Sequence, residues 1–388
     1  MSASSSSSSV GATAADFSVS ESGGATYSMP ILTAPGSGGV VPQVSLNYSS
    51  HAGNGDVGVG WSLGGVSAIT LCPQTTEQDG IAGSKGIGLT GEDRFCLDGQ
   101  RLVADAASGA YGGNGTQYRT EIDNFARITS YGTVGNGPAW FRVERKDGAV
   151  VEYGNSADSG IEARGSKAPE TRFVWAQNRF EDQHGNYILY NYLENASGPV
   201  GYALQSIDYT GNIRAGTLPT ARLSFFYGDR DAEADLTYSY FAGVKVEQRY
   251  LLRSIRSQAR VLAGSPLVDL RFYELNYEQD GVGRTILTAL TECRSSSRAI
   301  CYPSTRFDWL KSESTIDTEP TLLADLLPKA TLSGLLLADV SGDGRTDLLY
   351  TNSKSKRHTL HIREATANAG FLEWEASYTL PQRPGGRP

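Results

Sequence analysis

The chain has 388 residues, of which 39% are hydrophobic and 20% charged, enough for two or three domains. Its net charge of -8 and the lack of a long basic run argue against nucleic acid and anionic membrane surfaces as partners. No stretch approaches the roughly 18 uninterrupted apolar residues of a membrane span, and 45 Gly and 20 Tyr beside only 2 Met point to strands joined by tight turns.

In chain order, residues 1–14 read as a disordered Ser-rich leader, without the basic region or apolar core of a signal peptide. From residue 15 the pattern is strand and turn. Val44, Leu46 and Tyr48 alternate with polar residues, as a half-buried strand requires. Asp98-Gly99 and Asp147-Gly148 each separate two apolar runs, and Asp-Gly supplies the positive φ of a tight hairpin turn. Further strands are predicted over Tyr187 to Tyr192, Ala221 to Tyr227, Tyr250 to Ala259 and Leu267 to Tyr277. No amphipathic helix longer than about three turns is visible, and a short helical piece is expected near Thr321 to Leu327. The expected architecture is all-β: a large curved antiparallel sheet over residues 15–315, more than a compact sandwich.

Cys72, Cys96, Cys293 and Cys301 form two local pairs with no C-x-x-C and no nearby His, which argues against zinc. Two disulfides, Cys72 to Cys96 and Cys293 to Cys301, suit an exported protein; four buried thiols are the alternative, because nearness in sequence does not fix nearness in space.

Lys311 to Pro320 reads as a polar linker, after which the texture changes. Leu335 to Tyr350 reads as strand, acidic loop, strand. Asp339, Ser341, Asp343 and Asp347 fall at positions 1, 3, 5 and 9 of a D-x-S-x-D-G-x-x-D loop, and the Arg345 carbonyl would be the position-7 ligand. Oxygen-only donors favour Ca²⁺. Tyr350 at position 12 and the strand flanks exclude an EF-hand, and a purely hydrogen-bonded turn is the competing reading. Residues 321–388 resemble an FG-GAP/VCBS repeat of integrin-type β-propellers. One copy is a single blade, so the resemblance implies part of a propeller.

Tyr48-Ser-Ser-His-Ala-Gly-Asn-Gly-Asp-Val-Gly-Val-Gly-Trp-Ser-Leu-Gly-Gly65 resembles the opening signature of the SpvB-type domain, which also opens the TcdB/TcaC subunits of insecticidal toxin complexes. Leu71-Cys-Pro73, Asp93-Arg-Phe-Cys-Leu-Asp-Gly-Gln-Arg-Leu102 and Cys301-Tyr-Pro-Ser-Thr-Arg-Phe-Asp-Trp309 follow in the family's order. Read from the residues, the Gly/Trp segment is structural: glycines for close turns and Trp61 as an apolar anchor. It lacks G-K-[ST] and is not a phosphate loop. Asp182-Gln-His-Gly-Asn-Tyr-Ile188 resembles the turn of Rhs/YD repeats, and equally a plain β-turn.

The resemblance implies a non-catalytic part of a secreted toxin complex, a Rhs-like β shell that encloses or presents an effector. It implies a Rhs-type C subunit and an A-type pore subunit as partners. The family's namesake carries a separate carboxy-terminal ADP-ribosyltransferase. Here Ser295-Ser-Ser297 and Ser304-Thr305 read more simply as loop, so that chemistry is not expected in this chain. No G-x-S-x-G precedes a helix either. The rival reading is a surface adhesion or glycan-binding protein with a Ca²⁺-supported propeller.

Overall fold

The computed structural model describes residues 11–195, 198–230, 235–262, 264–309, 336–339, 347–354, 357–365 and 371–374. The leader up to Val10, the linker 311–320 and the helical piece near Thr321 to Leu327 lie outside the described residues. Two compact units are distinguished, Met1–Ser314 and Thr315–Pro388.

The first unit is built from antiparallel strands, and its one α-helix among the described residues is the single turn Thr76–Asp79. No described helix is long and apolar enough to cross a membrane. The main sheet contains 16 strands. The four strands predicted above are observed as Asn186–Glu194, Ala221–Asp229, Tyr250–Arg260 and Leu267–Gln279. With Tyr202–Asn212 between the first two, they lie in one curved sheet that continues through Thr285–Cys293 to the short edge Thr305–Arg306.

One half of this sheet does something that alternation alone does not foretell: it closes. Ala68–Cys72, Arg94–Leu97, Gln100–Ala104, Gln117–Thr120, Arg127–Tyr131, Trp140–Glu144 and Val150–Tyr153 follow one another as neighbours. The long strand Arg172–Glu181 then pairs with both ends of the series. Its first half meets the opening strand, with Val174 opposite Thr70, and its second half meets the last, with Val151 opposite Phe180. The result is a closed eight-strand barrel. Eight strands leave an interior just wide enough for side chains to fill. Here Ile69, Ile128, Phe141, Val151 and Trp175 fill it, each 0% exposed. Phe95 meets Tyr118, Phe141 and Trp175 edge to face, at centroid separations of 6.1, 5.2 and 5.4 Å. Trp175 donates its indole N–H to the Pro138 carbonyl at 3.0 Å, so the buried polar tip is satisfied.

Arg172–Glu181 also carries the open sheet, pairing with Asn186–Glu194 through Phe180 opposite Ile188. One face of the open sheet is covered by a separate four-stranded sheet of Asp16–Val19, Ala25–Pro30, Ser45–Ser49 and Trp61–Gly64. Met29, Leu46 and Trp61 from that cover belong to one core with Ile207, Leu223, Ile255 and Leu287 of the open sheet. The hairpin Thr237–Phe241 with Val244–Gln248 packs its Val244 into a third core, with Ile161, Phe173 and Val200.

In the second unit, Leu336–Ala338, Asp347–Lys354, Arg357–Ala365 and Phe371–Trp374 form a four-stranded antiparallel meander in sequence order.

Candidate functional site

The predicted Ca²⁺ ligands fall on the first connection of the meander. Asp339 directly follows Leu336–Ala338 and is exposed, while Asp347 opens the next strand and is fully buried. Ala338 stands opposite Asp347, so the register brings the two ends of the loop together. Ser341, Asp343 and Arg345 lie outside the described residues. Among the described residues no three His, Cys, Asp or Glu converge on a metal-sized site. The oxygen donors at the loop's two ends are of the type a hard cation takes.

A second polar centre is built around the Gly/Trp signature. Gly53 to Gly60 form a tight excursion in which Asn54–Gly55 pairs with Gly58–Val59. Gly58 has φ +93°, and a Cβ there would stand 2.9 Å from the Thr285 carbonyl oxygen, so only glycine lets this loop lie against the sheet. Asn54 donates its amide to the carbonyl and to Oδ1 of Asp235, at 3.2 and 3.1 Å. Asp235 accepts from the Thr285 N–H at 2.8 Å, from the Thr285 hydroxyl at 2.5 Å, and from Arg230 Nη1 at 2.7 Å. Arg230 in turn donates to the Gly55 carbonyl, and Leu252 N–H donates to the Asp56 carbonyl at 2.8 Å. The Arg230 and Asp235 side chains are both 0% exposed. Three stretches distant in sequence, around Asn54, Asp235 and Thr285, are thereby tied to one carboxylate.

The electrostatics follow from this wiring. Burial pushes the Asp235 carboxyl up, but the Thr285 and Arg230 hydrogen bonds outweigh it and hold it below the usual carboxylate range. Asp56 is different. It is half-buried as a residue, yet its Oδ1 is shut off from solvent with no hydrogen-bond partner among the described residues. Burial pushes it up to about 6, against the pull of Arg230. The phenol of nearby Tyr202 is pushed up to about 12, by burial first and the Asp56 charge second. A network whose carboxylate is fully engaged holds parts together.

The first and last family motifs meet on the same ground. Trp61 is 2% exposed and packs against Phe307 at 5.0 Å and Tyr48 at 5.4 Å between centroids, and Tyr48 meets Trp309 at 5.4 Å. Trp309 donates its indole N–H to the Leu287 carbonyl at 2.7 Å. Trp61 is thus the anchor its size suggests. Arg230, Asp235 and Thr285 were invisible to sequence reasoning, because nothing local marks a buried ion pair whose third member lies 50 residues on.

The cysteines sit in two places. Cys72 and Cys96 lie on neighbouring barrel strands, joined sulfur to sulfur with Cα atoms 6.0 Å apart. Cys293 and Cys301 are joined across an antiparallel bridge with Cα atoms 3.9 Å apart. The Asp182 turn is a braced β-turn: Asp182 Oδ1 accepts the N–H groups of His184 and Asn186, both at 2.8 Å. Ser295 to Ser297 lie in the connection after Thr285–Cys293, where Ser296 donates to Asp269.

Comparison with known proteins gives the fold and the family. In the crystal structure of TcdB2-TccC3 the match has a TM-score of 0.64 at 18% identity, covering 92% of this chain and 19% of that chain. The Tc holotoxin pore of Photorhabdus luminescens matches with a TM-score of 0.64 at 18% identity, over 95% of this chain and 20% of that one. The N-terminal domain of the effector protein SpvB from Salmonella typhimurium strain LT2 matches with a TM-score of 0.53 at 18% identity, over 72% of this chain and the whole of that domain. These likenesses show the fold, and the chain spans about a fifth of the length of the toxin-complex chains. No curated protein matches the sequence. The family model for the Salmonella virulence plasmid 65kDa B protein matches residues 19–247, more than half of the 388 and a stretch that holds the signature loop, the barrel and Asp235. By that match the chain belongs to the SpvB family.

Proposed function

We propose that this chain is a non-catalytic structural component of a secreted bacterial toxin or virulence complex, forming part of a β shell that encloses or presents a toxic effector. The observation that carries this reading is the main sheet, closed into a barrel at one end and continuing as a broad curved wall. Its chemistry-bearing side chains are spent on holding strands: Asp235 and Arg230 bind the signature loop, and Asp208 binds Arg222 at 2.6 and 2.9 Å across neighbouring strands. The likeness to a TcdB2-TccC3 complex and to a holotoxin pore supports a Rhs-type C subunit and an A-type pore subunit as the partners.

The four-stranded meander has the strand content of one propeller blade, which supports reading residues 321–388 as an FG-GAP/VCBS repeat. Ca²⁺ would be held there by Asp339, Asp343 and Asp347, with Ser341 and the Arg345 carbonyl completing the set, and would cross-brace the loop. Calorimetric titration of the chain with Ca²⁺ is expected to show one site, lost in Asp339→Asn/Asp343→Asn; an unchanged isotherm in that variant disproves the ligand set.

The shell reading is tested by coexpressing the full-length protein with its Rhs-type partner and digesting the complex with protease. An effector segment that survives until the complex is denatured supports enclosure. Digestion of that segment at the rate of the free polypeptide overturns it, and specific binding of a glycan by the isolated chain would favour the adhesion reading instead.

A further inference from the structure

The second cysteine pair sits where a small molecule can reach it. Cys301 opens the last family motif and lies on the outermost run of the main sheet, where no described strand follows. Cys293 is 2% exposed, whereas Cys301 is only half-buried. Cys72 and Cys96, in the barrel, are both buried. Thiol–disulfide exchange needs a line of approach to one sulfur, so access separates a reducible pair from a structural one. A cavity of about 180 Å³ leads to the outer pair, and both cysteines line it together with Arg271, Glu292 and Arg294.

The loop between these cysteines is held without the sulfurs. Arg294 N–H donates to the Ile300 carbonyl and Tyr302 N–H to the Glu292 carbonyl, both at 2.9 Å. Asp269 accepts from the Ser296 N–H and hydroxyl at 2.9 and 2.6 Å. The Thr291 and Ser304 hydroxyls meet at 2.7 Å. Breaking the sulfur bond therefore leaves both thiols in register and the sheet edge intact.

Charge selects the kind of thiol. Arg271 is paired with Glu292 at 3.2 Å, and Arg298, on the same loop, is paired with Glu274. Arg294 is exposed and makes no ion pair among the described residues. The lining of the cavity therefore carries one cation in excess. A cation beside the sulfurs draws in an anionic thiol and stabilises the thiolates that exchange produces.

We propose that the Cys293–Cys301 pair is a thiol-exchange site that takes small anionic thiols. The external thiolate attacks Cys301 Sγ and bonds to it. The bond to Cys293 breaks, and Cys293 leaves as a thiolate that takes a proton from water. A second thiolate attacks the external sulfur, forms the oxidised thiol and releases Cys301. Two thiols are oxidised to one disulfide as the pair is reduced to two thiols. Between the two steps Cys301 carries a reversible covalent adduct. The inference goes beyond the shell reading and does not rest on it.

The test treats the folded 388-residue chain with mercaptoethanesulfonate or with cysteamine in low salt, traps thiols with maleimide and locates them by peptide mass spectrometry. Each rate is divided by that of the same reagent on hydroxyethyl disulfide, which removes intrinsic reactivity. Cys293 and Cys301 are expected to be trapped at least about tenfold faster than Cys72 and Cys96, with an unchanged circular dichroism spectrum. The anionic thiol should be favoured about fivefold over the cationic one, a preference lost in Arg294→Gln and kept in Arg294→Lys. Equal rates at the two pairs overturn the proposal, as does a cationic thiol as fast as the anionic one, or a preference that survives in Arg294→Gln. Four thiols trapped before any reductant is added overturn it as well.

Discussion

Asp235 and Asp56 lie in the same clamp and respond oppositely to pH. Asp235 has its carboxyl held low, so it contributes stability above its unfolded value of 3.8 that is lost as pH falls below it. Asp56 is raised from 3.8 to about 6, so its ionisation opposes folding: there is no penalty below 3.8, a growing one up to about 6, and the full penalty above. A shift of that size corresponds to about 3 kcal/mol. Asp56→Asn is therefore expected to raise the unfolding free energy by up to about that amount at pH 7.5 and to leave it nearly unchanged at pH 4, measured by urea denaturation. An equal effect at both pH values would contradict the assignment. Asp235→Ala leaves Arg230 buried without its carboxylate and should cost about 3–5 kcal/mol in the same assay. At this scale the sequence was legible for Trp61 and for the Asp98-Gly99 turn, where Asp98 has φ +48° and Gly99 +83°. It was silent on Arg230, because a lone Arg in a polar stretch reads as surface until Asn54, Gly55 and Asp235 surround it.

Strands were easier to foresee than their partners. Each predicted strand in the open sheet is observed within about two residues of its bounds, because alternation of apolar and polar residues marks a half-buried strand directly. Closure of the barrel was not legible. It depends on Ala68–Cys72 and Val150–Tyr153 both choosing Arg172–Glu181, and alternation says which face is dry but not which strand lies alongside. Trp175, at the centre of that strand, is the position that feels it: Trp175→Ala should destabilise the first unit by about 3–5 kcal/mol, read from its thermal or chemical unfolding. The cysteine pairs belong to this scale as well. A bond across the 24-residue separation of Cys72 and Cys96 is worth about 3 kcal/mol in loop entropy. Protein purified from an oxidising compartment and denatured without reductant should show no thiol reactive to maleimide. Four reactive thiols would return the buried-thiol alternative.

For the whole molecule, the family resemblance was legible because it rests on several motifs in order, and the structure shows why they travel together. Tyr48 and Trp61 from the first motif touch Phe307 and Trp309 from the last, so losing either would open the same core. What the motifs could not convey is that the barrel and the open wall are one continuous sheet, with the covering sheet packed on it as a separate layer. The breadth of this wall is the basis of the proposed container role. The most direct measurement is an electron cryomicroscopy map of the full-length protein coexpressed with its Rhs-type partner. The account predicts a closed hollow β shell in which the sheet from Arg172 to Arg306 forms part of the wall and additional density fills the interior. Two proteins that fail to copurify, or a compact assembly with no enclosed volume, would contradict it.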